Sequence, residues 1–306
     1  MVYYDEIKDF LRPSYYRLRK LLRIKSKHEK RKLILEKSYS VVMELSKKDG
    51  ISDILFENRG CIMTLSDGRK YYFDPLDSVA SMYSVPYSGT YETKETQFLK
   101  TFIKPKQTCI DVGASFGWYT VLMSKHVGEG GHVYSFEPIP PTFKVLEKNV
   151  QLNDCKNVTL SNTGLDETNG QKDFYIAEVG VSGSMKLHTY DKSYDKFRCQ
   201  CQKLDDYCSK KNVQHVDFIK ADIEGAEFLF LKGGKETIRS SKPALMLEIQ
   251  EHSTALFGYR PFEIFKWLIG YGYTPYIVSD TGSLMKLENY SKKLPDHNFI
   301  FIPTEE

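Results

Sequence analysis

The sequence predicts an α/β protein built on an open, mostly parallel sheet flanked by helices. After Lys100, short apolar runs alternate with amphipathic stretches, the rhythm of β-α-β units. The apolar runs close on a glycine or an acid, as in IDVGASFG, YSFEP and IKADIEG. No internal repeat or long apolar segment suggests another architecture. The 306 residues, 41% hydrophobic and 27% charged, suffice for a large globular core.

Taken in order, Leu11 to Leu45 reads as a helix, with Leu11, Tyr15, Leu18 and Leu22 at helical spacing and a stop at Asp49-Gly50. Ten Lys/Arg and one Glu fall between Arg12 and Lys32, so residues 1–50 carry +7 while the rest of the chain sums to −4. Residues 51–87 read as a small β-rich lead-in, because ILFE, CIMTL and KYYF are broken by Asn58-Arg59-Gly60 and Ser66-Asp67-Gly68. Residues 88–306 form the main domain. Its strands are expected at Thr108–Val112, His132–Phe136, Val158–Asn162, Val216–Ala221, Ala244–Ile249, Thr274–Val278 and Phe299–Ile302, with helices at Pro141–Asn153 and Pro261–Tyr271.

No run approaches the roughly 20 apolar residues that span a bilayer, and the first ten residues lack the apolar core of a signal peptide, so a cytoplasmic location is expected. Six cysteines without C-x-x-C spacing read as structural free thiols. The step Cys199-x-Cys201 with Cys208 lacks the second spaced pair of a zinc site, and no metal ligands are assigned.

The chemistry concentrates at strand ends. Asp111 closes the first core strand, and Gly113-Ala114-Ser115-Phe116-Gly117 follows, where missing Cβ atoms let backbone turn sharply and approach a ligand. Glu137 closes the next strand, where a carboxylate can accept both hydroxyls of a ribose. The loop is not the G-x-G-x-x-G that binds a pyrophosphate. An acidic strand end suits the α-ammonium group of S-adenosyl-L-methionine better than the phosphates of a nicotinamide dinucleotide. Asp222 and Glu248 end two further apolar strands and face the crevice where open α/β sheets bind ligands. His252 follows closely.

DVGASFGWYT, FEPIPPTFKVLEKNVQLN and KADIEGAEFLFLKGG together resemble the FkbM-type methyltransferases, and the likeness runs from residue 88 to the terminal HNFIFIP. The resemblance implies the class I methyltransferase, Rossmann-like fold, with a seven-stranded sheet whose last strand is antiparallel. It further implies S-adenosyl-L-methionine as methyl donor and a hydroxyl oxygen, often on a sugar or a polyketide, as acceptor. It carries cofactor contacts onto Asp111, Gly113, Ala114, Gly117 and Glu137, with Phe136 and Pro138 flanking the adenosine. Gly164, Leu165 and Asp166 fall in a short polar loop near the adenine, Asp166 reading equally as a turn residue. The family's usual Asn-hydrophobic-Gly is here Ser115-Phe116-Gly117.

Deprotonating an alcohol calls for a base, and Asp222 stands first, with His252 or a carboxylate-held divalent ion as alternatives and helix capping as the structural reading of Asp222. Glu227 reads as an acid favouring its helix dipole. Tyr91 and Glu95, in SGTYETKETQFLK, are expected to fold over the donor, or to start a solvated helix capped by Thr93 and Thr96. Two other functions remain open: a nicotinamide oxidoreductase, and an inactive scaffold binding membrane or RNA. The basic segment 12–32 suits peripheral contact with an anionic cytoplasmic membrane face. It equally suits packing on the catalytic domain or on a second subunit in a homo-oligomer. It lacks RNA-binding motifs, so no nucleic-acid partner is expected.

Overall fold

The computed structural model describes residues 50–56, 60–73, 91–177, 183–186, 194–290 and 294–304. The helix expected between Leu11 and Leu45 lies outside the described residues. The chain runs through β1 (Ile51–Phe56), β2 (Cys61–Leu65), β3 (Lys70–Phe73), α1 (Thr93–Phe102), β4 (Thr108–Val112), α2 (Trp118–Val127), β5 (His132–Phe136), α3 (Pro140–Leu152) and β6 (Val158–Ser161). Next come β7 (Gly164–Leu165), β8 (Gly170–Ala177), β9 (Gly183–Ser184), β10 (Tyr194–Gln202) and α4 (Leu204–Lys211). The remainder is β11 (Phe218–Ala221), α5 (Glu227–Gly233), α6 (Lys235–Ser241), β12 (Ala244–Glu248), α7 (Glu251–Leu256), α8 (Pro261–Gly270), β13 (Tyr273–Val278), β14 (Leu284–Lys286) and β15 (Asn298–Pro303).

The main sheet has the order β14-β13-β15-β12-β11-β4-β5-β6. The five strands from β12 to β6 pair in parallel, and β15 enters antiparallel between β12 and β13. The expected seven strands are present in the class I methyltransferase arrangement, and β14 adds an eighth as a hairpin on the edge. The order reverses between β4 and β11, which places the ligand crevice of an open α/β sheet beyond their carboxyl ends.

Strand alternation sorts the side chains onto two cores. Cys109, Val133, Phe218, Met246 and Ile300 face α1, α2 and the small sheet β1-β2-β3. Ile110, Val112, Phe136, Ile219, Ala221, Leu245 and Leu247 face α4, α5, α6 and α8. With a period of two, Asp111, Ser135, Glu137, Lys220, Asp222 and Glu248 fall on the first face, which is therefore apolar at its base and ionisable at its carboxyl end. The lead-in belongs to this core: Tyr71 is fully buried, stacks on Trp118 at 5.0 Å and donates to its carbonyl at 3.2 Å.

The structure adds a second sheet, β7-β10-β8-β9, inserted between β6 and α4. Gly164 and Leu165 are thereby strand β7, paired with Cys201 and Gln202, where a loop was expected. The buried Cys199 and Cys201 alternate with exposed Arg198 and Gln200, so the C-x-C step is the inner face of a strand.

Candidate active site

The glycine loop hangs from the end of β5. Gly113 and Ala114 donate to the Phe136 carbonyl at 3.0 and 2.9 Å, while the Phe136 ring is buried edge-on to Tyr207, 4.7 Å away. Gly113 sits at φ +73°, and a Cβ there would collide with the carbonyl oxygen of Asp222. The glycine thus lets β4 and β11 close on each other. Ser115, also left-handed at φ +50°, donates its N–H to Glu137 Oε2 at 3.0 Å. Ile139 donates to Oε1 at 3.0 Å, so each Glu137 oxygen keeps a lone pair for another donor. Burial pushes the Glu137 carboxyl up to about 7 against these two backbone bonds.

Asp111 is fully buried. The Thr120 hydroxyl lies between Asp111 Oδ2, at 2.6 Å, and Ser135 Oγ, at 2.9 Å, and Asp111 Oδ1 has no partner. Burial raises this carboxyl, with Lys220 opposing.

Across the switch point, Asp222 Oδ2 lies 3.2 Å from Lys220 Nζ. One oxygen from each of Asp222, Glu224 and Glu248 falls within 4.8 Å of the others, a spacing a divalent cation could bridge. Burial, then the charges of Asp222 and Glu224, drive Glu248 far above the usual carboxylate range, and a side-chain hydrogen bond with Asp222 raises it further. Asp222 caps no helix: α5 starts at Glu227 without a side-chain cap. The turn is held by Glu227, whose Oε1 accepts from Ile223 and Gly225 at 3.0 and 3.2 Å. Glu227 lies in the first turn of α5, as its reading as a dipole-favouring acid expects, and is wholly buried there.

Residues 111–275, more than half of the chain, match the Methyltransferase FkbM domain. The chain belongs to the FkbM methyltransferase family. It carries an S-adenosylmethionine-dependent methyltransferase domain. Among its relatives, 2-O-methyltransferase NoeI of Sinorhizobium fredii is 25% identical over 48% of this chain and 65% of its own length. Methyltransferase 1 of Beauveria bassiana is 24% identical over 40% of this chain and 57% of its own. The chain thus spans less than two thirds of either relative. A solved structure, Methyltransferase FkbM from Methylobacillus flagellatus, aligns over 87% of this chain and 59% of its own at 16% identity and a TM-score of 0.41.

In this FkbM domain the segment before β4 reaches over the glycine loop. The Tyr91 ring packs on Phe116 at 5.6 Å and on Trp118 at 5.9 Å. Glu92, left-handed at φ +43°, accepts a hydrogen bond from Tyr119 Oη. Burial, then the charge of Asp222, push the Glu92 carboxyl up to about 7. Thr96 does not cap α1; its hydroxyl donates to the Tyr91 carbonyl at 2.7 Å and accepts from Trp118 Nε1 at 2.8 Å. Glu95, buried beside Lys94 at 3.7 Å, lies one turn behind Glu92.

Asp166 is fully buried, ion-paired to Lys172, with Oδ1 unpartnered. Gly164 packs Pro138 against Phe174 and Cys201. His252 is exposed on the first turn of α7, next to Ser253, whose backbone touches Gly225. The sequence reading missed Lys220, 4% exposed in an otherwise apolar strand, although a lysine inside FIKA is itself a signal because lysine is buried only when paired.

Proposed function

We propose that the protein transfers a methyl group from S-adenosylmethionine to a hydroxyl oxygen of a sugar in a glycan, with Asp222 taking the hydroxyl proton. The observation that carries this reading is the Asp222 carboxyl at the switch point, held by Lys220 at 3.2 Å on one side and neighboured by Glu248 on the other. The oxygen acceptor leans on the 2-O-methyltransferase relative, and the sugar on what the resemblance to the family implies.

The residues suit the donor. Glu137 keeps one lone pair on each oxygen for the two ribose hydroxyls, and Asp111 keeps an unpartnered oxygen beneath the loop. Ala114, Gly117 and Pro138 would border the adenosine side, while Tyr91 and Glu95 would cover the methionine side. When bound, the donor supplies an electrophilic methyl on a positively charged sulfur. Asp222 then accepts the acceptor's proton as the new carbon–oxygen bond forms, and the Lys220 ammonium keeps that carboxylate aimed at the crevice.

The test is transfer of tritiated methyl to a panel of monosaccharides, oligosaccharides and glycolipids, run with wild type and Asp222→Asn. The amide keeps the size and loses the base, so turnover is expected to fall at least about 100-fold with donor affinity retained. Turnover within about threefold of wild type would place the base elsewhere. Full activity in excess chelator assigns the proton to Asp222 directly; loss of activity restored by a divalent cation assigns it to a metal-bound hydroxyl over Asp222, Glu224 and Glu248.

A further inference from the structure

The crevice beyond β4 and β11 holds more acid than its cation can balance. Lys220 is register partner to Asp111 on β4, so the two side chains leave the same face of the sheet side by side. Its ammonium is 3.2 Å from Asp222 and 5.2 Å from the centre of the Tyr119 ring, and Tyr119 in turn holds Glu92. Burial disfavours the Lys220 charge, but the charges of Asp222, Asp111 and Glu92 more than restore it. Three acids thus surround one lysine, Glu92 from the start of α1, Asp111 from β4 and Asp222 from beyond β11, while Glu224 and the β12 residue Glu248 gather around Asp222.

We propose that this carboxylate cluster, balanced only in part by Lys220, selects for positive charge in its ligand, so that the protein holds the cationic methyl donor in preference to the neutral thioether product. The inference rests on donor binding in this crevice. S-adenosylmethionine carries a sulfonium, an ammonium and a carboxylate, net +1. S-adenosylhomocysteine, left when the methyl departs and the carbon–sulfur electron pair stays on sulfur, is net zero. Lys220 and Asp111 are buried and Asp222, Glu224 and Glu248 half-buried, so one unit of charge is screened less here than in bulk water. The lysine therefore sets how far the preference extends: as the one cation in the described cluster, it works against the donor while it orders the acids.

Calorimetric binding of S-adenosylmethionine, S-adenosylhomocysteine and sinefungin, whose amine supplies a cation in place of the sulfonium, to the full chain at pH 8 tests this without any acceptor. Wild type is expected to bind the two cationic ligands at least about tenfold more tightly than the neutral product. Glu92→Gln removes an acid while keeping its shape, and should shrink that ratio several-fold. Lys220→Met removes the opposing cation and should widen it, a direction that a damaged fold does not produce. Should Lys220→Met fail to fold, Glu92→Lys provides a second sign test and should reverse the preference. Equal affinities, tighter binding of the product, or ratios unmoved by both Glu92 variants would overturn the proposal. Absence of binding by all three ligands would instead overturn donor binding in the crevice, and with it the proposal.

Discussion

The two sides of the crevice are built on different physics. On the β4–β5 side, backbone geometry does the positioning: glycine and left-handed residues turn N–H groups onto the Phe136 carbonyl and the Glu137 carboxyl. On the β11–β12 side, charges position one another around Lys220, and the backbone supplies little beyond the Glu227 brace. The first side is rigid and specified by what a residue lacks. The second is set by the balance of protons and ions, and so responds to pH.

Breaking the first side calls for a single methyl group. Gly113→Ala places a Cβ against the backbone of Asp222 at φ +73°, and backbone cannot rotate away as a side chain can. A loss of about 3 kcal/mol or more in urea unfolding is expected, with donor binding abolished. Gly117→Ala is the contrast. It shares the left-handed strain, at φ +91°, but its Cβ would meet Leu146 Cδ1 at 2.7 Å, the far end of a flexible side chain, so a smaller loss of about 1–2 kcal/mol is expected. Equal losses would mean that the close approach of β4 and β11 is not what the glycine serves.

The second side is exposed by pH. Burial pushes the Glu227 carboxyl up to about 8 in the folded protein, against an ordinary 4.5. A carboxyl raised on folding binds its proton more tightly in the native state, so its stabilisation is fully present below pH 4.5 and is lost as pH rises through about 8. The free energy of unfolding should therefore fall across this window, by on the order of 5 kcal/mol at most for Glu227 alone. Glu227→Gln keeps an oxygen for the Ile223 and Gly225 amides and removes the titration, so its stability curve should be flatter. A variant curve parallel to wild type between pH 5 and 9 would assign the slope to other groups.

These sides also differed in how well the sequence revealed them. Asp111, the glycine loop and Glu137 form a contiguous pattern whose spacing is fixed by one β-turn-α-β unit, and it can be read without any long-range contact. The strands of the main sheet were legible for the same reason, since each is a short apolar run with a marked end. The lysine inside FIKA was a signal, but its role was not legible because Asp111 on β4 and Glu92 at the start of α1 reach it only in the folded register. The inserted sheet escaped because β10 gets its inner face from Cys199 and Cys201, residues that suggest metal chemistry before they suggest alternation. Glu227 was legible as an acid of the first helical turn, but its burial and its two backbone bonds depend on the folded turn that it braces.

The smallest expected effect tests the backbone side from within. Ser115 holds φ +50°, a conformation in which an L-residue carries a steric penalty that asparagine tolerates better than serine. The FkbM pattern commonly has asparagine there, and the geometry supplies the reason: the left-handed turn aims the residue-115 amide at Glu137 Oε2. Ser115→Asn should therefore raise stability by about 0.5–1 kcal/mol in urea unfolding, with donor affinity unchanged, because the contact is made by the amide and not by the side chain. Ser115→Val, branched at Cβ, should lower stability by about 1–2 kcal/mol and weaken donor binding as the loop relaxes away from Glu137. If asparagine destabilises the protein while valine is tolerated, the left-handed turn is not the conformation that this loop adopts in solution.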